Sequence, residues 1–377
     1  MTKTLEAICS YRSEKASASL IGTEDLYIST ESISSNRGGV SRASVPGKGK
    51  VARFRDGDTL VSNIRPYFKK IWQADCDGYC SNDVLVFQPA EDCNPDYLYW
   101  LLCGDDFFEY VMATSKGTKM PRGDKAAIMS YAIPSNSEMT QLQIASIMNP
   151  FRSKIATNAK LNGYLEELVD ALFCEMVLGA VDSSKTVSFS SFLEERKEKC
   201  PSRTNAEYSV TDTGIHPRSL KFRKNLSATS SKNKIARKGD LVFGISRRIL
   251  NWGLFDAEIG EVSSAYRVYS ISGVPPEYVA RYIARYQCAF TDIIKPSSRE
   301  GQGIMPDALM AKKLPKLNSF AWEKYLDTVA PIKALASITR TETAALFESR
   351  DSILPKLMSG EIDVSKIDLA KLNSHLA

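Results

Sequence analysis

The sequence is poor in histidine: among 377 residues only His216 and His375 occur. A metal centre built from histidine is therefore not expected. Its eight cysteines, Cys9, Cys76, Cys80, Cys93, Cys103, Cys174, Cys200 and Cys288, form no Cys-x-x-Cys pair. A chain of this length needs no disulfides, so the expectation is reduced, mostly buried thiols in a cytoplasmic protein. No window approaches the roughly 18 uninterrupted apolar residues of a membrane span. Residues 1–15 hold no apolar stretch suited to a signal peptide.

Catalytic signatures are missing as well. There is no Gly-x-x-x-x-Gly-Lys-Ser/Thr loop for a nucleotide. No Gly-x-Gly-x-x-Gly follows a strand. Neither a Gly-x-Ser-x-Gly elbow nor a helical His-Glu-x-x-His appears. Asn149-Pro150-Phe151 echoes the Asn-Pro-Pro-Tyr/Phe motif of amino-methyltransferases but lacks its second proline and sits in a helical stripe. The acidic pairs Asp105-Asp106 and Glu194-Glu195 read as solvated surface. The chain is therefore not expected to be an enzyme, nor to bind a cofactor or metal.

What is present is ordinary globular composition, 43% hydrophobic and 25% charged, with a net charge of +5. The length predicts two or three domains. The distribution of charge says more than its sum. Nine Lys/Arg lie between Arg37 and Lys70 against Asp56 and Asp58. Ten lie between Arg218 and Arg248 against Asp240 alone. Two separated basic tracts point to two polyanion-binding surfaces, against the alternative of two solvated loops.

The chain repeats itself at an offset of 181–185 residues. Asp56-Gly57-Asp58-Thr59-Leu60-Val61 lies over Lys238-Gly239-Asp240-Leu241-Val242-Phe243. Pro95-Asp96-Tyr97-Leu98 lies over Pro276-Glu277-Tyr278-Val279. Met120-Pro121 lies over Met305-Pro306, Pro134 over Pro315, Pro150 over Pro331 and Gly179 over Gly360. Such a series, in order, marks two diverged copies of one unit of about 180 residues, able to present two equivalent surfaces about a pseudo-two-fold axis.

Each copy begins as a mixed α+β module. Short apolar runs at 59–64, 83–87, 241–245 and 266–271 predict strands. Helices are expected over 96–111 and 276–290, each opened by proline. Each copy ends in a longer helical stripe, over 141–178 and 320–358. At about 1.5 Å per residue each could span up to ~50–55 Å. The two helices are expected to pack as an antiparallel pair. Asn158 would be either a register-setting core residue or a surface residue. Pro150 and Pro331 are expected to kink or split the helices. The predicted boundaries are a first module at 1–140, a helix at 141–180, a second module at 181–318, a helix at 319–358 and a tail at 359–377.

The loop Ser115-Lys116-Gly117-Thr118-Lys119-Met120-Pro121-Arg122-Gly123-Asp124-Lys125 is short, basic and broken by glycine, as a phosphate-meeting loop should be. Its counterpart at 297–306 keeps a glycine and the Met-Pro pair but replaces the Thr-Lys and Arg-Gly-Asp-Lys surface, with Arg299 as its one cation. A cofactor loop should have kept its cations in both copies.

Three stretches of the first copy resemble target recognition domains of type I restriction-modification specificity (S) subunits. They are Asp58-Thr59-Leu60-Val61-Ser62-Asn63-Ile64-Arg65-Pro66-Tyr67-Phe68-Lys69-Lys70, Cys80-Ser81-Asn82-Asp83-Val84-Leu85-Val86-Phe87 and 117–125. Ile353-Leu354-Pro355-Lys356-Leu357-Met358-Ser359-Gly360 resembles the end of such subunits' second conserved helix. The resemblance extends over nearly the whole chain, less so in 1–25, 183–205 and parts of the second module.

The resemblance implies a non-catalytic subunit in which each recognition domain reads one half of a bipartite double-stranded DNA site while the helices set the gap. It implies partners: two modification (methyltransferase) subunits using S-adenosylmethionine, and restriction/translocase subunits using ATP and Mg. It implies the cytoplasm of a bacterium or archaeon. A DNA-recognition subunit of a methylation-only or other phage-defence complex is the alternative. A self-sufficient methyltransferase or nuclease, and a structural protein dimerising through its helices, are rivals from other classes.

Basic loops supply backbone affinity, and fewer side chains read base edges. The DNA-binding candidates in copy one are Arg65, Lys69, Lys70, Lys116, Thr118, Lys119, Arg122 and Lys125. In copy two they are Arg247, Arg248, Asn251, Lys295, Ser297, Arg299 and Gln302. Arginine suits guanine and Asn/Gln suit adenine. Tyr67 is expected to pack in the core.

Overall fold

The computed structural model describes residues 3–117, 119–182, 184–200, 205–218, 232–246, 249–295 and 303–367. The chain divides into two compact units, one of Met1–Gly163 with Leu335–Ala377 and one of Tyr164–Ala334. No helix among the described residues is long and apolar enough to cross a membrane.

The first unit is built on an antiparallel sheet ordered Cys9–Tyr11, Val84–Pro89, Thr59–Ser62, Ile71–Gln73. Its central strands are apolar at successive positions because both faces are covered. Val61, Leu85 and Phe87 enter one core, while Leu60, Val84 and Val86 enter another. The second core is closed by a sheet ordered Lys15–Ser17, Lys50–Phe54, Gly78–Cys80, Tyr27–Ile28, its last pair parallel. Lys3–Thr4 pairs with Ala132–Ile133.

The second unit repeats this plan. Its main sheet is ordered Leu193–Glu195, Arg267–Ile271, Leu241–Phe243, Trp252–Leu254. Leu241, Phe243 and Tyr269 face one core, and Val242 and Val268 face the other. Thr186–Ser188 pairs with Lys313–Pro315, and Lys234–Arg237 pairs with Ile259–Val262. A hairpin of Tyr208–Thr211 and Gly214–Pro217 is particular to this unit.

Side-chain chemistry repeats with the strands. Arg12 grips buried Asp58 with Nε at 2.5 Å and Nη2 at 2.8 Å. Arg196 grips Asp240 at 2.7 and 3.0 Å. Each carboxylate also accepts a backbone N–H at 2.8 Å, from Arg55 and from Arg237. The Gly-Asp pairs have a backbone reason. Gly57 has φ +81° against Pro95, and Gly239 has φ +85° against Pro276; a side chain in that conformation is strained.

The predicted helix at 96–111 is two helices, Pro95–Cys103 and Asp105–Ala113. Gly104 between them is extended, with ψ 147°. The Cys103 carbonyl accepts the Arg37 Nε at 2.7 Å, outside the helix ladder. The helix expected at 276–290 runs over Pro276–Arg285 and continues as a 3₁₀ segment, Gln287–Ile293.

The long helices span Glu138–Leu172 and Ser319–Met358. Of the kink or split expected at the prolines, the split does not occur: both helices run through them. A mid-helix proline removes one backbone hydrogen bond, and each is flanked by a side-chain clamp. Beside Pro150, Asn149 donates to Asp96 at 2.7 Å and accepts the Trp100 indole at 2.9 Å, and Arg152 reaches Asp96 at 2.9 Å. Asn149 is thus a structural residue. Beside Pro331, Lys333 bonds Glu277. In the first unit the two helices run antiparallel: Asn158 meets Glu342 and Thr343, and Asn162 meets Thr339. In the second, Val169, Phe173 and Val177 share a core with Trp322, Tyr325 and Val329. The apolar stripes are less complete than expected, since Leu168, Leu335 and Ile338 are exposed.

Candidate nucleic-acid interface

In the first unit four loops are stitched together by backbone hydrogen bonds. The loop at 115–123 closes on itself, Lys116 N–H to Arg122 C=O at 2.9 Å and the reverse at 3.0 Å. Its Pro121 carbonyl accepts the Arg65 N–H at 2.9 Å. The Asn63 N–H donates to Asp83 at 2.9 Å, and the Arg37 N–H donates to Lys69 at 3.0 Å. Basic residues distant in sequence therefore share one rigid surface.

The candidates differ in their environments. Arg65, Lys119 and Arg122 are exposed. Arg122 pairs with Asp83 at 3.2 Å. Lys116 reaches Asp124 at 2.5 Å, and this pairing raises the lysine above its ordinary value while it lowers the carboxylate. Lys125 lies 5.8 Å from the Tyr11 ring centroid. Lys69 is tied to Asp105 at 2.8 Å. Lys70 points inward, its Nζ donating to the Thr30 carbonyl at 2.6 Å. Burial lowers its affinity for a proton, against the opposing pull of Glu31. Thr118 lies outside the described residues.

In the second unit the corresponding turn is closed by the Gly244 N–H to Asn251 C=O at 2.8 Å. The Asn251 amide donates to Ile245 C=O at 2.7 Å and so braces its own turn. Lys295 is exposed, and its N–H donates to Gly303 at 2.9 Å. Ile294 pairs with Ile304, so four more residues separate the paired positions here than between Lys116 and Arg122. The Met-Pro dipeptides are not structural equivalents: Met120-Pro121 precedes its pairing position, whereas Pro306 opens the helix Pro306–Met310. Arg247, Arg248, Ser297, Arg299 and Gln302 lie outside the described residues.

Sequence reasoning missed the acidic partners. Asp105 holds both Arg37 and Lys69, and Glu195 holds Arg267 at 2.6 Å, so neither is idle surface. It also missed Arg37, whose guanidinium is buried and bonded to Cys103 and Asp105. No linear signal marks these pairs, because their partners lie 36 to 72 residues away. Tyr67, expected in the core, is 45% exposed. Among the described residues no cluster of metal-ligating side chains occurs.

No family model matches the chain. The type I restriction enzyme HindI specificity subunit of Haemophilus influenzae is 31% identical over 135 residues, which is 34% of this chain and 29% of that relative's length. Among solved structures, the HsdS subunit from Thermoanaerobacter tengcongensis is 17% identical, covering 96% of this chain and 97% of that one, with a TM-score of 0.38. The S subunit of a type I restriction-modification system from M. genitalium is 13% identical, covering 95% and 96%, with a TM-score of 0.49. The resemblance of this chain to type I specificity subunits is thus carried by a curated relative as well as by its motifs.

Proposed function

We propose that this chain is a non-catalytic DNA-recognition subunit of a type I restriction-modification complex. Its first module, about 1–140, reads one half of a bipartite site, and its second, about 181–318, reads the other. The long helices, about 141–180 and 319–358, set the gap and dock two modification subunits, and 359–377 is a tail. Those partners supply S-adenosylmethionine chemistry, and restriction/translocase subunits supply ATP and Mg chemistry, in the cytoplasm of a bacterium or archaeon.

The observation that carries this reading is one scaffold built twice with different loops. The strand order of the main sheet and the Arg–Asp grip are shared by both units, while the loop between the paired positions differs in length and charge. Reading two different half-sites requires the same frame with different tips. In the first unit Arg65, Lys119, Arg122, Lys116 and Lys125 are candidates that stand exposed to phosphate or guanine. Lys69 joins them by exchanging Asp105 for phosphate.

Methylome sequencing of cells carrying this chain with its modification subunits tests the proposal. The expected result is one split motif with a fixed gap. A continuous motif, or unmodified DNA with the complex assembled, overturns it.

A further inference from the structure

The turn joining Thr59–Ser62 to Ile71–Gln73 holds a large apolar side chain in solvent. Tyr67 is 45% exposed, its ring tilted on Phe68 with centroids 4.6 Å apart. The backbone on both sides is left-handed, with φ 53° at Arg65 and 49° at Lys69. Non-glycine residues rarely adopt this conformation, and where they do the strain tends to mark a working site. The turn is held by Phe68 N–H to Arg65 C=O at 3.0 Å and Lys69 N–H to Pro66 C=O at 2.8 Å. Tyr67 is therefore presented on a rigid support, which lowers the entropic cost of binding.

The second unit does the same with a different residue. Its turn joins Leu241–Phe243 to Trp252–Leu254 and carries Ile249, 55% exposed. Tyr67 lies four residues before its following strand and Ile249 three before its own. Two copies of one fold thus expose a large apolar side chain at the same turn, unlike in type.

Phosphate gives Ile249 nothing, and it could use only the hydroxyl of Tyr67, not its ring. A protein partner common to both copies would meet the same chemistry twice, and here it would meet a phenol once and an aliphatic chain once. The cations stitched around Tyr67, namely Arg65, Lys116, Lys119 and Arg122, favour a polyanion. Within a polyanion, only bases offer apolar surface: a ring face or a thymine 5-methyl group.

We propose that Tyr67 and Ile249 are specificity-determining residues, each making an apolar contact with a base in its own half-site. This rests on the DNA-reading function above. The test is selection from a random-sequence duplex library at fixed salt, using the full chain assembled with its modification subunits. Tyr67→Ala is expected to relax preference at one or two adjacent base pairs of one half by about tenfold and leave the other half intact. Ile249→Ala is expected to do the reverse, and Tyr67→Phe to keep the wild-type preference. Both side chains are exposed, so neither alanine removes core packing. Unchanged selected sequences overturn the proposal, as does uniform weakening across all sequences. Loss of modification subunits with preference retained would reassign the side chains to a protein contact. If the unaltered complex selects no sequence at all, the DNA-reading function itself fails.

Discussion

Asn158, on the first long helix, donates its side-chain amide to Glu342 of the second at 2.7 Å, and is 2% exposed. The same amide lies 3.2 Å from Thr343, while Asn162 donates to the Asn158 carbonyl at 2.9 Å and accepts from Thr339 at 2.9 Å. A polar ladder of this kind, with Asn158 and Thr339 buried and Glu342 at its exposed edge, stabilises only one register of two paired helices. Removing Asn158 loses its hydrogen bonds while Glu342 turns to water, at about 1 kcal/mol. Asn158→Ala should lower the unfolding free energy of the first unit by that amount in denaturant titration. Asn158→Leu should lose less, because it restores apolar burial. If alanine and leucine cost the same, the ladder is not what holds the pair.

The repeated Arg–Asp grip gives a graded expectation. The Arg12 side chain is 9% exposed and that of Arg196 24%, while Asp58 and Asp240 are both buried. Breaking a buried pair strands the remaining charge, at about 3–5 kcal/mol. Asp58→Ala should approach that range, and Asp240→Ala should fall below it, since water reaches Arg196. A double change, Arg12→Met with Asp58→Leu, should recover part of the loss. Calorimetry of the variants checks the order; equal losses in the two units would show that burial of the arginine does not set the cost.

The pattern of this chain can be read where it depends on local rules. The repeat, the central strands and the proline-opened helices follow from spacing alone, and so does the Gly-Asp turn. What cannot be read depends on partners distant in sequence. Lys70 and Tyr67 sit three residues apart in a basic stretch, yet Lys70 turns inward to Thr30 and Tyr67 turns out. Both lie in a turn whose backbone is left-handed at Arg65 and Lys69, and no periodicity encodes it. Pro150 reads as a helix breaker because its neighbours' bonds to Asp96 and Trp100 span about fifty residues and leave no local mark.

That contrast predicts which lysines and arginines support DNA affinity. Removing one cation that pairs with a phosphate should reduce the slope of log K against log salt by about 0.9. Lys119→Ala and Arg122→Ala should each show such a reduction in equilibrium binding by the assembled complex. Lys70→Met should leave the slope unchanged and lower thermal stability instead, because its ammonium is bound to a backbone carbonyl. A slope change for Lys70→Met, with stability unaltered, would return that lysine to the DNA-facing surface.

Asp105 carries a pH signature. Burial alone would raise its carboxyl above the ordinary value of 3.8, but hydrogen bonds from Lys69 and Arg37 outweigh it and hold it below. A carboxylate depressed in the folded state binds fewer protons there than in the unfolded chain. Its stabilisation is therefore complete above the ordinary value and is lost as pH falls through the depressed one. Melting temperatures of the first unit between about pH 6 and pH 3 should decline more steeply for the native chain than for Asp105→Asn. The variant should also release Lys69, so its DNA affinity at low salt should rise even as its stability at neutral pH falls. Parallel melting curves for the two proteins across that range would mean that Asp105 is not the group linking the basic turn to protonation.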